Sequence, residues 1–292
     1  MAIAYVNGNT GTSDGSSGTI AATAINATSG NAIVVCVVNY TAGRYVTGVA
    51  DTASNSYNRL GSTYTAGDLT IEFWLAMNIT GHATNVVTAT FSGNASYRRI
   101  HVLQFSGVAL TNAHDTDFAP AGNTDSDLTK TTTTDSTAVD GEMIVGIFFD
   151  DGGTTFSNSS PSVSRLSTAD SASATNLIAS AGNGDVSITV ANDHFAWCYS
   201  KAIKPETTSI EQEGFRFRND DGSESAATWK ANQDTNITLA ANTAFRLRFL
   251  LKATGNPDSI DAQAEARVKP SGGAFGAWEK INGWISLSYT LP

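Results

Sequence analysis

Between residues 68 and 107, three runs of aliphatic, aromatic and β-branched residues are separated by short polar breaks at 78–84 and 93–96. In the first run Leu69, Ile71, Phe73, Leu75 and Met77 alternate with Thr70, Glu72, Trp74, Ala76 and Asn78. A period of two places the first set on one face of a pleated strand and the second set on the other. The succession predicts an antiparallel meander with one apolar face, which a second sheet must cover.

The same reading extends along the chain. Residues 3–6 form a short leading strand, and residues 7–18, NGNTGTSDGSSG, a polar loop or arm with no apolar anchor. NAIVVCVVNY (31–40) and EMIVGIFF (142–149) are nearly continuous in apolar residues, the signature of strands buried on both faces. Segments 46–51 and 55–60 flank a turn, 114–134 is polar and mostly loop, and 185–191 with 194–203 closes the domain. Lys204-Pro205 then interrupts the pattern, because proline cannot donate to a ladder. The expected domains are therefore 1–204 and 205–292. In the second, residues 244–253 and 260–268 alternate as a hairpin that would set Lys252 opposite Asp261 and Arg248 opposite Glu265. Helix signals are almost absent. The expected fold class is all-β: a jelly-roll-like antiparallel β-sandwich followed by a smaller, immunoglobulin-like β-sandwich.

Composition agrees with this. Charged residues are only 15% of the chain, and Thr, Ser, Asn and 26 Gly carry the polar share, as strands with many turns require. The formal net charge of −10 argues against nucleic acid as a partner, since phosphate binding needs clustered Lys and Arg. No apolar run approaches the roughly 20 residues that span a bilayer, and the opening residues lack a basic export leader, so synthesis in a cytoplasm without membrane insertion is expected. Cys36 and Cys198 each lie in an apolar strand, where reduced, buried thiols are the default. A disulfide between them would require the first and last strands to lie side by side.

The chain carries little that reads as chemistry. It has no phosphate-cradling Gly-rich loop, no CxxC or HExxH, no nucleophile elbow, and four scattered histidines, His82, His101, His114 and His194. Its acidic residues gather in Gly-containing turns, as turn chemistry demands. Asn219-Asp220-Asp221-Gly222-Ser223-Glu224 resembles a calcium loop but lacks the full set of oxygen ligands. No catalytic residue, cofactor or metal is expected. Candidate partner contacts are Asn7, Asn9, Thr10 and Ser13 on the polar arm, Trp74 on the face opposite the Leu69–Met77 set, and the Arg98-Arg99 pair.

Two stretches carry a resemblance. Val46-Thr47-Gly48-Val49-Ala50-Asp51 with Ala53, Asn55 and Tyr57, then Trp74-Leu75-Ala76-Met77-Asn78-Ile79 and the Phe-Ser-Gly turns at 91–93 and 105–107, resembles a β-sandwich module of bacteriophage structural proteins and bacterial proteins. Glu213-Gly214-Phe215-Arg216-Phe217-Arg218 through Glu224, with Ala227-Thr228-Trp229, 234–238 and Arg246-Leu247-Arg248-Phe249, is similar to a C-terminal module of phage and prophage virion proteins. The resemblance implies a non-enzymatic virion protein of a tailed phage, either a capsid decoration (cement) protein or a head fibre. Its implied partner is the major capsid protein, its implied state a homo-oligomer such as a trimer, and its place the capsid surface. The alternative is a tail or receptor-binding adhesin that presents Trp74 or loop aromatics to a host-surface glycan.

Overall fold

The computed structural model describes residues 2–119, 121–123, 128–150, 152–192, 196–207, 209–219, 221, 228–238, 245–254, 265–266 and 279–280. The chain divides into two compact units, Met1–Glu206 and Thr207–Pro292. Lys204-Pro205 belongs to the first: Lys204 N donates to Ala113 O, Glu206 N donates to Gly107 O, and Pro205 forms a bridge with Val108.

Every regular element among the described residues is a strand. The first half of the first unit contains β1 (Ala4–Ser13), β2 (Ser17–Ala21), β3 (Ile25–Ala27), β4 (Ala32–Tyr40), β5 (Val46–Asp51), β6 (Asn58–Arg59), β7 (Tyr64–Ala66), β8 (Leu69–Ala76), β9 (His82–Asn85), β10 (Val87–Ala95) and β11 (Arg98–Ser106). The second half contains β12 (His114–Asp117), β13 (Ala121–Asn123), β14 (Thr129–Thr131), β15 (Asp135–Ser136), β16 (Glu142–Asp150), β17 (Phe156–Asn158), β18 (Val163–Ser167), β19 (Ser171–Ile178), β20 (Asn183–Gly184), β21 (Ser187–Val190) and β22 (Ala196–Ile203).

The two halves repeat one another in topology. The large sheet of the first runs β1-β11-β4-β8-β6, and that of the second β12-β22-β16-β19-β18. The small sheets run β2-β10-β5 and β14-β21-β17, and the two-stranded pairs β3-β9 and β15-β20 complete the match. All pairings are antiparallel.

The cores stack these sheets in four layers. Val34, Cys36, Phe73 and Phe105 of the first large sheet share a cluster with Val145, Ile147, Phe149 and Tyr199 of the second. The intervening residues Ile33, Val35, Val37, Ile100 and Val102 pack instead under the first small sheet, against Ala89 and Phe91. Ile144, Phe148 and Cys198 pack under the second, against Val186 and Ile188. A strand in an inner layer buries both faces, which is why β4 and β16 read as unbroken apolar runs. Cys36 and Cys198 form no disulfide; both are buried, and they lie in different clusters.

Two sequence expectations need correction. The runs between 68 and 107 do not form a meander: β4 separates β8 from β11, and β10 crosses to the small sheet. Local alternation fixes which face is apolar but not which sheet receives the next strand. Residues 7–18 are not an arm. Nine of the twelve lie in β1 and β2, and β1 pairs with β11 from Ala4↔Ser106 to Ser13↔Arg98. Its glycines are what permit this: a Cβ on Gly8 would stand 2.4 Å from Val102 O, and one on Gly11 2.0 Å from Ala21 O.

In the second unit, β23 (Ser209–Asn219) pairs with β24 (Phe245–Thr254), and β25 (Glu265–Ala266) with β26 (Glu279–Lys280). Most of the second strand of the expected hairpin of residues 244–253 with 260–268 lies outside the described residues. Of its two expected pairs only Arg248 with Glu265 can be compared, and these are not registered with one another. Arg248 stands opposite Arg216 and Glu265 opposite Lys280, while Lys252 forms an ion pair with Glu213 at 3.2 Å. Asp261 lies outside the described residues, as does most of what an immunoglobulin-like assignment would require.

Candidate functional site

The seven residues singled out from sequence serve mainly to hold the first unit together. Asn7 Nδ2 donates to Asn26 O at 2.8 Å, Asn9 Nδ2 to Ala24 O at 3.3 Å, and Thr10 O accepts from Thr23 N at 3.0 Å. Together they tie β1 to the segment leading into β3. Trp74, 8% exposed, packs in the first half's inner core with the Arg59 guanidinium 5.4 Å from its ring centroid. It is not an exposed sugar platform.

Arg98 and Arg99 are buried, which corrects the partner-contact reading. Arg98 donates to Ser13 Oγ (2.7 Å), Gly15 O (2.6 Å) and Thr19 O. Arg99 grips Asp170 with two nitrogens and Asp14 with one, the latter at 2.7 Å. Burial works against the Arg99 charge, but the bonds from Asp170 and Asp14 more than offset it and hold its pKa above the ordinary value. Asp170 precedes β19 in the second half, so the Arg99–Asp170 pair bolts the two repeats together. The polar cleft above it, about 360 Å³, is lined by Thr10, Thr12, Asp14, Ser167 and Thr168. Both carboxylates face the guanidinium, so the cleft has no surplus charge to offer an anion.

The resemblance motif is structural in the same sense. Asp51 accepts from Asn55 N, Asn55 Nδ2, Tyr57 OH and Asn85 Nδ2, all within 2.8–2.9 Å. Burial alone would raise the Asp51 carboxyl; these bonds outweigh it and hold it below the usual range. An Asp-x-x-x-Asn-x-Tyr pattern is therefore a turn lock, fixing 51–57 against β9.

His101 is wholly buried between Ser171 Oγ (2.9 Å from Nε2) and Ser173 Oγ (3.2 Å from Nδ1). Burial pulls its pKa to about 3, with the Asp170 charge opposing in part. An imidazole held neutral that far down is a poor general base, and no solvent reaches the pair. It follows that the unfolded chain binds a proton near pH 6.5 that the folded chain refuses. Stability should fall as pH drops from 6.5 towards 3, at up to about 1.4 kcal/mol per pH unit. Denaturant unfolding at pH 7 and pH 5 should show a loss of about 2 kcal/mol from this group, absent in His101→Gln; an unchanged pH slope in the variant would refute it.

The densest titratable cluster surrounds Asp117. Its carboxylate accepts from Ser62 N and Oγ, and lies 2.7 Å from both His114 Nε2 and Lys201 Nζ. Lys201, fully buried, also donates to Tyr199 OH (2.5 Å) and Ser62 O (3.0 Å), so its three protons are all engaged. Burial lowers its pKa to about 8, with Asp117 opposing. Burial would raise Asp117, but the bonds from Lys201 and Ser62 bring it to about 2. Ser62 donates to an Asp117 carboxylate whose pKa is held at about 2, too weak a base to activate a hydroxyl, so this cluster reads as another bolt between repeats. Among the described residues no three His, Cys, Asp or Glu side chains are grouped to hold a metal.

What the chain leaves exposed differs in kind. At one end of the first sandwich, Tyr45 and Tyr97 are about half exposed, and Tyr40 is 39% exposed and stacked on Phe149. Their turns are braced internally: Tyr40 N donates to Ser96 O, Ser96 N to Thr41 Oγ1, Ser92 N to Tyr45 O, and Arg44 Nε to Asn94 O. Tyr97 sits at φ +49°, a conformation that costs a bulky residue about 1 kcal/mol or more.

In the second unit, Trp229 is 37% exposed and lies between two guanidinium groups, Arg216 at 4.3 Å and Arg248 at 5.7 Å from its centroid. No family model, curated protein or solved structure matches this chain. The site therefore has to be read from its own geometry. Sequence inspection passed over both exposed sets, although Arg216-Phe217-Arg218 and Arg246-Leu247-Arg248 carry a usable signal. In a strand, Arg-x-Arg puts both side chains on one face.

Proposed function

We propose that the protein is a non-enzymatic structural component of a tailed-phage virion, decorating and stabilising the capsid exterior as a cement protein or head fibre. The observation that carries this reading is the tyrosine-lined end of the first sandwich, where Tyr45 and Tyr97 are exposed on short, internally bonded turns, together with exposed Tyr40 at the end of β4 and half-buried Arg44. Tyr and Arg are the residues that concentrate at the centres of protein interfaces. Placing them on braced turns reduces the ordering entropy that docking would otherwise cost. The Arg99–Asp170 and Asp117–Lys201 clusters of the same unit are engaged in internal bonds, which suits a rigid block better than a reaction centre. The major capsid protein is the proposed partner, with many copies making individually weak contacts sufficient over the shell.

Binding to undecorated heads tests this. The double variant Tyr45→Ala/Tyr97→Ala should bind at least about tenfold more weakly, as loss of an interface hot spot implies. Tyr97→Asn should weaken docking without lowering stability, since Asn tolerates the positive φ that strains a bulky residue. Location of the protein only on tails, or in a few copies per virion, would instead favour the adhesin. For that second reading the supporting residue is Trp229, not Trp74.

A further inference from the structure

The charge of the chain is unevenly divided. Residues 1–206 contain eight Lys and Arg against seventeen Asp and Glu, whereas residues 207–292 contain nine against ten. Among the described residues of the nearly neutral second unit, four arginines share one face of the β23–β24 ladder. β23 and β24 pair in a register that sets Arg216 opposite Arg248 and Arg218 opposite Arg246, and alternation keeps all four on the same side. Like charges directly across a ladder oppose folding. Among the contacts that offset this, Arg218 lies 3.5 Å from Asp221, and the Trp229 ring lies against Arg216 and Arg248.

Trp229 reaches this position because residues 228–234 run along the free edge of β23. Asn219 N donates to Thr228 O, Lys230 N to Phe217 O and Asp234 N to Phe215 O. Arg216 Nε donates to Ala231 O at 3.0 Å, which fixes the plane of its guanidinium. Its two terminal nitrogens meet no acceptor among the described residues. A guanidinium oriented by one bond and a stacked indole presents a pre-set fork, the geometry that captures a carboxylate through two parallel hydrogen bonds.

We propose that the Arg216–Trp229–Arg248 face is a binding site for acidic saccharides, with a sugar carboxylate bound by the Arg216 fork and the exposed indole edge covering the adjoining ring. Polyphosphate is a poorer fit. Nucleic-acid binding draws on a broad positive field, and this unit carries nearly balanced charge. Local, stereospecific recognition by an Arg–Trp pair needs no such field. The proposal is independent of where the protein sits in a virion, so its failure would leave the docking surface of the first unit untouched.

The test uses the full-length chain with defined oligosaccharides, either uronic- or sialic-acid-bearing or their neutral counterparts, titrated by calorimetry at two salt concentrations. Acidic oligosaccharides should bind, more weakly at high salt, and neutral ones should not. Arg216→Gln should weaken binding about tenfold or more, and Arg216→Lys should fail to restore it because the fork is lost. Both should retain the parent melting curve; if Arg216→Gln unfolds the unit, Trp229→Phe, which keeps ring area but weakens the stack, serves as the second variant and should also bind more weakly. Equal binding of neutral sugars, or undiminished binding by all the folded variants, would overturn the proposal. So would duplex DNA bound in preference at the same salt, or ligand-free self-association abolished by Arg216→Gln, which would assign the face to a second copy of the chain.

Discussion

Deletion of residues 7–18 is expected to unfold the first unit rather than to release a flexible arm. The nine registered pairs of β1 with β11 run from Ala4↔Ser106 to Ser13↔Arg98, and seven of them lie within the deleted stretch. Removing it exposes the edge of the first large sheet and takes away Ser13 Oγ, Gly15 O and Asp14, acceptors for two buried guanidinium groups. Uncompensated buried charge and an open sheet edge each cost several kcal/mol, comparable to the whole stability of a domain. Circular dichroism and calorimetry should show loss of the cooperative transition of this unit. A shortened chain that melts like the parent would return residues 7–18 to the status of an arm. Gly11→Ala is a milder form of the same test, because its Cβ would meet the Ala21 carbonyl, an atom that cannot move without moving β2.

The second large effect is expected at Arg99. Arg99→Ala leaves Asp170, largely buried, without the guanidinium that satisfies both of its oxygens, and it cuts a tie between the two repeats. Removing one partner of a buried pair costs about 3–5 kcal/mol. The lower part of that range applies here, since Asp14 is 69% exposed and can return to water. For a unit of this length, about 3 kcal/mol corresponds to a fall of roughly 6–12 °C in the melting midpoint. Arg99→Lys should fall between, retaining charge but not the two-pronged grip. In a double-mutant cycle with Asp170→Ala, the coupling should account for most of the loss. A cost below about 0.5 kcal/mol would make it an ordinary surface pair.

The residues explain which parts of this structure were legible in the chain. The strand periods, the all-β class and the double burial of 31–40 and 142–149 follow from alternation and composition, because side-chain direction in a strand is a local consequence of the pleat. The repeat of one ten-strand scheme was not visible. Its halves share a pairing order rather than residues: Cys36 of β4 lies in the central core, while the glycine of β16, Gly146, leaves room for Val186. The polar stretch at 7–18 misled for a related reason. Its order comes from a backbone ladder and from acceptors for Arg98 and Arg99, and neither contribution appears in hydrophobicity.

The candidate sites divide along the same line. Asp51, Asn55 and Tyr57 are conspicuous as letters, and yet only their mutual hydrogen bonds identify them as a lock. Arg98, Arg99 and Trp74 look exposed by type, but burial depends on what crosses above them, and that is set by strands distant in sequence. Tyr97 and Trp229 are the opposite case, aromatic by type but left at the surface by the packing. Local sequence determined where strands form and which of their faces is apolar, because that is a matter of neighbouring residues. Tertiary structure alone decided which polar groups became internal bolts and which aromatics met solvent. Both depend on pairings such as Arg99 with Asp170 and Arg216 with Arg248, which join positions 71 and 32 apart in the chain.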